Sequence, residues 1–310
     1  MDTRVYGILG ISSIMANWNA DFSGFPKTTS DGTVFGSDKA FKYPMKKMWE
    51  NEGEKVLYIK SYKLSPDKKE ERSIVPRSLK ERYEQIFQVA DLSKEADAKI
   101  TLQNLFSAID VKNFGATFAE KPHNISITGA VQFGQGFNKY EDSSTEEQQI
   151  LSPFRDGTKE EEAKNSTLGT KIVSREAHYF YPFSINPYAY CGYEEMKVTD
   201  GYTREDYDRF KKTSIVAATA FSTNAKAGCE NELGVFVETR PDVYLPNLSE
   251  YVSFEKEEKN IITLSFGDIL SGMKDGIISV EIYYNPYTTR ICSDIPKAAL
   301  YNIFTKQEVL

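Results

Sequence analysis

An α+β fold is what the order of patterns along this chain predicts. Val5 to Ile14 is an apolar run rich in Ile, Val and Gly, the signature of a central strand. Lys55 to Tyr62 alternates as a second strand, and helical spacing near Phe41 to Glu50 completes a βαβ unit. Strand, helix and strand patterns return at Ile172 to Tyr181, Tyr202 to Ser222 and Leu233 to Glu238. The order β-α-β, insertion, β, long arm, α, β is that of a ferredoxin-like split βαβ core carrying insertions.

In the first helix Pro44 is tolerated in a first turn but kinks an interior, so the helix is expected to begin near Tyr43. If it is continuous instead, Lys39, Lys42 and Lys46 share one face. Leu79 to Ala90 and Ala98 to Phe106 read as further helices. Ile125 to Phe137 returns to strand character. Tyr140 to Ser166 is charged and poor in apolar residues, an arm or long hairpin projecting from the body. Thr203 followed by Arg204-Glu205-Asp206 is an N-cap with an acidic first turn. The tail offers a strand at Ile277 to Tyr284 and a short terminal helix from Ile295 to Phe304.

Composition limits the function classes. The chain has 310 residues, 40% hydrophobic and 27% charged, enough for one large core with insertions. Its mean hydropathy is -0.48, and no apolar run approaches the roughly 20 residues that span a bilayer. Met1-Asp2-Thr3-Arg4 does not open a signal peptide. Cys191, Cys229 and Cys292 are widely separated, which fits a reducing cytoplasm rather than a disulfide framework or zinc site. Lys and Arg number 38 against 45 Asp and Glu, a net charge of -7. A nucleic-acid binder is expected to show a basic footprint. Here acidic residues bunch at Glu160-Glu161-Glu162 and Glu255 to Glu258 while lysines gather after the first strand, so a basic groove on an acidic body is compatible with the total.

No catalytic constellation emerges, and no cofactor or metal is expected. The two histidines, His123 and His178, are far apart, and no Gly-x-Ser-x-Gly elbow, P-loop or His-Glu-x-x-His occurs. Asn19-Ala20-Asp21 and Ser30-Asp31-Gly32 lack the distal Glu of a calcium loop. Gly134-Gln135-Gly136 reads either as a strand-end bend or as a close backbone approach to a phosphate. Tyr179-Phe180-Tyr181 with Phe183 reads mainly as core, with stacking on bases as the alternative.

Four motifs in order carry a resemblance. They are the polar loop from Met15 to Gly32, containing Asn17-Trp18-Asn19; Ile109-Asp110-Val111-Lys112-Asn113-Phe114-Gly115-Ala116; Ile127-Thr128-Gly129-Ala130-Val131-Gln132; and Leu168-Gly169-Thr170-Lys171 running into His178-Tyr179-Phe180-Tyr181. They resemble the family-seven Cas proteins, RNA-binding backbone subunits of type I CRISPR interference complexes, and most closely the type I-B branch. The resemblance implies an RRM-like palm with a helical insertion (fingers) and an extended hairpin-like thumb. Mapped on the chain, 1–64 is the first palm half, 65–122 the fingers, 123–139 a palm strand, 140–184 the thumb, 185–240 the second palm half and 241–310 a C-terminal extension.

The same resemblance implies a non-catalytic protein that polymerises along the CRISPR guide RNA (crRNA) with other copies of itself and other Cascade subunits. The guide is then presented for pairing with a target DNA strand in antiviral defence. It places Asn17, Trp18, Lys39, Lys42, Lys46, Gln132, Gly134 and Lys171 on the RNA and makes Leu168 an aliphatic wedge. Two departures stand out: Asn17-Trp18-Asn19 replaces the Asn-Pro-Asn-Gly-Asp of a sister branch, and Ala130 replaces a common proline. A different class of function, a ferredoxin-like endoribonuclease cutting CRISPR repeat RNA, would use His178 as general acid–base. A protein-only scaffold would assemble without RNA.

Overall fold

Strand Arg4–Ala16 is mostly apolar from Val5 to Ile11, where both of its faces are buried. In the computed structural model, which describes residues 1–65, 73–95, 97–151 and 168–309 apart from the side chain of Leu168, it pairs antiparallel with Leu168–Ile185 on one side and Cys229–Thr239 on the other. Val5, Leu9 and Ile11 enter one core with Trp18, Phe41 and Tyr181. Ile8 enters a second core with Phe180, Val235 and Phe254. The odd-numbered aromatics Tyr179, Tyr181 and Phe183 go to the first core and Phe180 to the second, as strand alternation requires. All four are buried, so this run is core.

The main sheet runs in the order Ala299–Asn302, Ile277–Tyr284, Cys229–Thr239, Arg4–Ala16, Leu168–Ile185, Gly136–Asn138, Phe35–Gly36, with Val131–Phe133 and Thr145–Leu151 also pairing the long strand Leu168–Ile185. Helices Asp38–Asn51 and Arg204–Ser214 contribute Phe41, Met45, Trp49, Tyr207 and Phe210 to the first core. In the C-terminal extension a three-stranded sheet of Val252–Lys256, Asn260–Leu264 and Thr289–Ser293 covers the other face. The long strand continues outward from the body as half of a hairpin with Thr145–Leu151, the described part of the expected arm. The acidic bunch Glu160–Glu162 lies outside the described residues.

Three elements differ from expectation. The first helix runs unbroken from Asp38 to Asn51 with Pro44 inside it. Ser37 caps it by accepting from the Ala40 N–H, and Phe41, Met45 and Trp49 bury one stripe, so capping and burial hold the first turn. Lys55 to Tyr62 is not a strand. Its backbone is claimed by side chains: Asp110 Oδ1 and Oδ2 each accept at 2.8 Å from the N–H groups of Leu57 and Tyr58, and Arg82 Nη2 donates to the Val56 carbonyl at 2.8 Å. Only Tyr62–Leu64 is extended, in a ribbon with Ile74–Pro76. Ile295 to Phe304 is not a helix either. Lys297 has a left-handed φ of 59°, and Ala299–Asn302 adds a parallel strand to the sheet edge, with Tyr301 stacked on Tyr283 at 5.0 Å.

Ile125 to Phe137 is divided among three strands, His123–Thr128, Val131–Phe133 and Gly136–Asn138, and Tyr202 to Ser222 between two helices, Arg204–Ser214 and Ala217–Ala220. Helices Leu79–Phe87 and Ala98–Phe106 form, and Thr203 caps Arg204–Ser214 in a full capping box with Asp206. The Asp-Val-x-x-Phe-Gly segment is a helix, Ile109–Phe114, ended by Gly115 at φ 79°. A Cβ there would lie 2.1 Å from the Ile127 carbonyl oxygen.

Asp110 is fully buried and holds two backbone N–H groups and, at 3.5 Å, the Lys46 ammonium. Asp110→Ala strands all three and is expected to destabilise the fold by about 3–5 kcal/mol, read as a lower urea midpoint at unchanged m-value. A midpoint unchanged from wild type would show that the carboxylate does not organise the 55–59 segment.

Candidate nucleic-acid interface

The continuous first helix puts Lys39, Lys42 and Lys46 along one wall of an open groove of about 580 Å³. The facing wall is strand Gly115–Glu120, and Tyr43, Tyr58 and Phe114 also line the groove. Lys39 is exposed, and no carboxylate among the described residues pairs with it. Lys42 sits 2.8 Å from Asp38 and 5.1 Å from the centre of the Phe114 ring. Lys46 is committed to the fold: it donates to the Tyr58 carbonyl at 3.3 Å and neutralises Asp110. Burial pushes its pKa down more strongly than Asp110 raises it. Lys39 and Lys42 are therefore the cations this wall can offer an anion.

The loop after the first strand has a different use from the one expected. Trp18 is fully buried and its Nε1 donates to the Tyr181 hydroxyl at 2.6 Å. Asn17 is buried too, its Nδ2 donating to the carbonyls of Gly24 at 2.8 Å and Ile172 at 3.2 Å. Lys226 donates to the carbonyls of Asn17 and Trp18 from below. These residues pin the loop to the base of the arm, and neither side chain is presented to a ligand. The aromatic ring of Trp18 gives the packing reason: it completes the first core beside Phe41, 6.3 Å away edge-on.

Gln132 and Gly134 are separated from the lysines. They line a second groove of about 400 Å³ with Tyr6, Pro182 and Leu245, against the C-terminal extension. Gln132 is exposed and caps the Gly129 carbonyl at 2.8 Å. The glycines of Gly134-Gln135-Gly136 admit protein rather than ligand: a Cβ at 136 would fall 2.3 Å from the Tyr181 ring, and one at 134 would meet Pro182 at 2.7 Å. Ala130 also has a local reason. Its N–H donates to the Tyr190 hydroxyl at 3.1 Å, a bond that proline has no N–H to make. Lys171 lies on the arm opposite Gln148; Leu168 begins the same strand, and its side chain is outside the described residues.

His178 is buried between two carboxylates. Nδ1 lies 2.8 Å from Glu232, Nε2 3.1 Å from Glu176, and the ring stacks on Phe254 at 3.7 Å. Lys256 reaches Glu176 at 2.5 Å, and Tyr140 meets the imidazole edge-on. Burial alone would lower the His178 pKa, but Glu232 and then Glu176 outweigh it and raise it above 6.5. For Glu176, burial is the largest influence, but hydrogen bonds and charge from Lys256 and His178 hold its pKa below 4.5. The cluster joins the arm base, the sheet and the C-terminal extension. His123 is elsewhere, with Nε2 2.9 Å from the Glu95 carbonyl.

The chain is thus a mixed α+β protein covered on both sheet faces, with a lysine-lined groove and a projecting hairpin. Residues 3–271 match the family described as Cas_Cas7, CRISPR-associated protein Cas7, and the chain belongs to that family. Among solved structures, it is similar to a chain described as "CRISPR RNA-guided surveillance complex, pre-nicking", at a TM-score of 0.54 and 13% identity over 97% of each chain. A chain described as "CRISPR RNA-guided surveillance complex" aligns at a TM-score of 0.46 and 13% identity, over 89% of this chain and 88% of that one. At such identities the first likeness is one of fold. No curated protein matches the sequence.

The His178 cluster sets a pH signature. A raised histidine pKa stabilises fully below 6.5 and fades as pH rises through the folded value. A depressed Glu176 pKa stabilises above 4.5 and fades as pH falls through the folded value. The advantage of wild type over His178→Gln in urea unfolding is thus expected to peak between about pH 4.5 and 6.5 and to shrink as pH rises through the raised histidine pKa. A difference that is flat from pH 5 to 9 would mean that folding does not shift the pKa of the imidazole.

Proposed function

We propose that this chain is a non-catalytic crRNA-binding backbone subunit of a type I-B interference complex. It polymerises along the guide with copies of itself, binds other Cascade subunits, and presents the guide to a target DNA strand in the cytoplasm. Family membership across residues 3–271 carries this reading. The strand order supports its finer form: Cys229–Thr239, Arg4–Ala16, Leu168–Ile185 and the pair Val131–Phe133 and Gly136–Asn138, with Asp38–Asn51 and Arg204–Ser214 as the two connecting helices. That is the order of an RRM-like palm. Residues 65–122 are then the fingers and 140–184 the thumb. The three free cysteines fit a reducing compartment, and among the described residues no helix is long and apolar enough to cross a membrane.

The non-catalytic part of the proposal is supported by His178, which is buried with both of its ring nitrogens facing carboxylates. Binding through Lys39 and Lys42 is a matter of phosphate charge, so it falls with salt and has little sequence preference. Single-stranded RNA titrated between about 50 and 300 mM salt is expected to give a log–log slope that drops by about 0.7 for each lysine removed in Lys39→Ala and Lys42→Ala. An unchanged slope in the double variant would remove these two as phosphate contacts. An absence of RNA binding by the wild-type protein at low salt would count against the reading as a whole.

A further inference from the structure

From Tyr58, which lines the lysine groove, the chain runs on through Lys60 to Tyr62, so cations and exposed aromatic rings occur together at this side of the molecule. Tyr43 follows Lys39 by one helical turn, is 42% exposed, and is held edge-on by Phe221 at 5.5 Å. Tyr62, 53% exposed, opens the ribbon strand Tyr62–Leu64. Two residues before it is Lys60, whose ammonium lies 5.0 Å from the centre of the Tyr62 ring. Arg77 donates to the Tyr62 carbonyl and steadies the ribbon there. Neither tyrosine belongs to a core. Both rings are nevertheless positioned, one by Phe221 and the other by the ribbon pairing with Pro76.

A combination of this kind suits one class of ligand. A single-stranded nucleic acid offers phosphates and π-faces in turn, and cationic grooves bearing aromatic platforms bind it without reading sequence. An acidic peptide would satisfy the lysines but has no regular ring for two tyrosines. We propose that Tyr43 and Tyr62 are base-stacking residues for a single strand lying along this groove, with Lys39, Lys42 and Lys60 on its phosphates. This rests on the RNA-binding reading above and adds to it: the groove holds bases as well as backbone.

The test compares a labelled RNA octamer of mixed sequence with an abasic ribose-phosphate octamer, by fluorescence anisotropy on the full chain. Wild type is expected to bind the base-bearing strand more tightly. Tyr43→Leu and Tyr62→Leu should each reduce that preference by at least about fivefold, leaving abasic binding unchanged, and Tyr→Phe at either position should restore it. In the unsubstituted protein, a 5-iodouridine octamer should crosslink at Tyr43 and Tyr62, located by mass spectrometry. Crosslinks found only elsewhere would overturn the proposal, as would leucine variants that keep the full base preference or weaken both strands equally. In those cases a weakened Lys39→Ala/Lys42→Ala variant would leave the RNA-binding reading standing. If wild type binds neither strand, that reading falls and this proposal falls with it.

Discussion

Alternate side chains of strand Arg4–Ala16 enter two separate cores, and this two-sided burial decides where a ligand can lie. In a sheet open on one face, Phe180 and its neighbours would be a ready platform for bases. Here Phe180 packs with Phe254 and Val235 beneath the C-terminal extension, and His178 is stacked and ion-paired under the same cover. What remains for a ligand are the helix wall with its lysines, the sheet-edge groove at Gln132 and the arm. The extension is therefore part of the site's definition, because it closes one surface and leaves the others to act.

Electrostatics follow the same division of labour. With a total charge of -7, the protein has no general attraction for polyanions, so binding has to come from local concentration of cations. Two other lysines are already engaged. Lys46 neutralises buried Asp110 and Lys226 holds the loop carbonyls of Asn17 and Trp18. Lys39 and Lys42 are the pair left facing the groove, and Lys60 extends them toward Tyr62. Lys46 and Asp110 fix the segment that carries Tyr58 and leads to Lys60, so an engaged lysine shapes the surface beside exposed Lys39 and Asp38-paired Lys42.

Where structure is decided locally, the residues foretold it. The central strand, the helices at Leu79, Ala98 and Arg204 and the outward hairpin all follow from periodicity and caps that act within a few residues. The lysine row was legible for the same reason. Where a distant partner decides, they did not. Lys55 to Tyr62 alternates like a strand, yet Asp110, some fifty positions on, takes the N–H groups a strand would have used. Trp18 sits in a polar loop, and only the fold reveals that its ring fills the space beside Phe41 and Tyr181.

The central claim is that this subunit exists to hold a guide along its length. Co-expression with a CRISPR array, its processing nuclease and the partner subunits, followed by purification at moderate salt, tests it most directly. The readouts are the 260/280 nm ratio, the RNA length and the particle mass. The account requires large particles carrying RNA of one defined length. A nucleic-acid-free monomer, recovered even with the partners present, would contradict it.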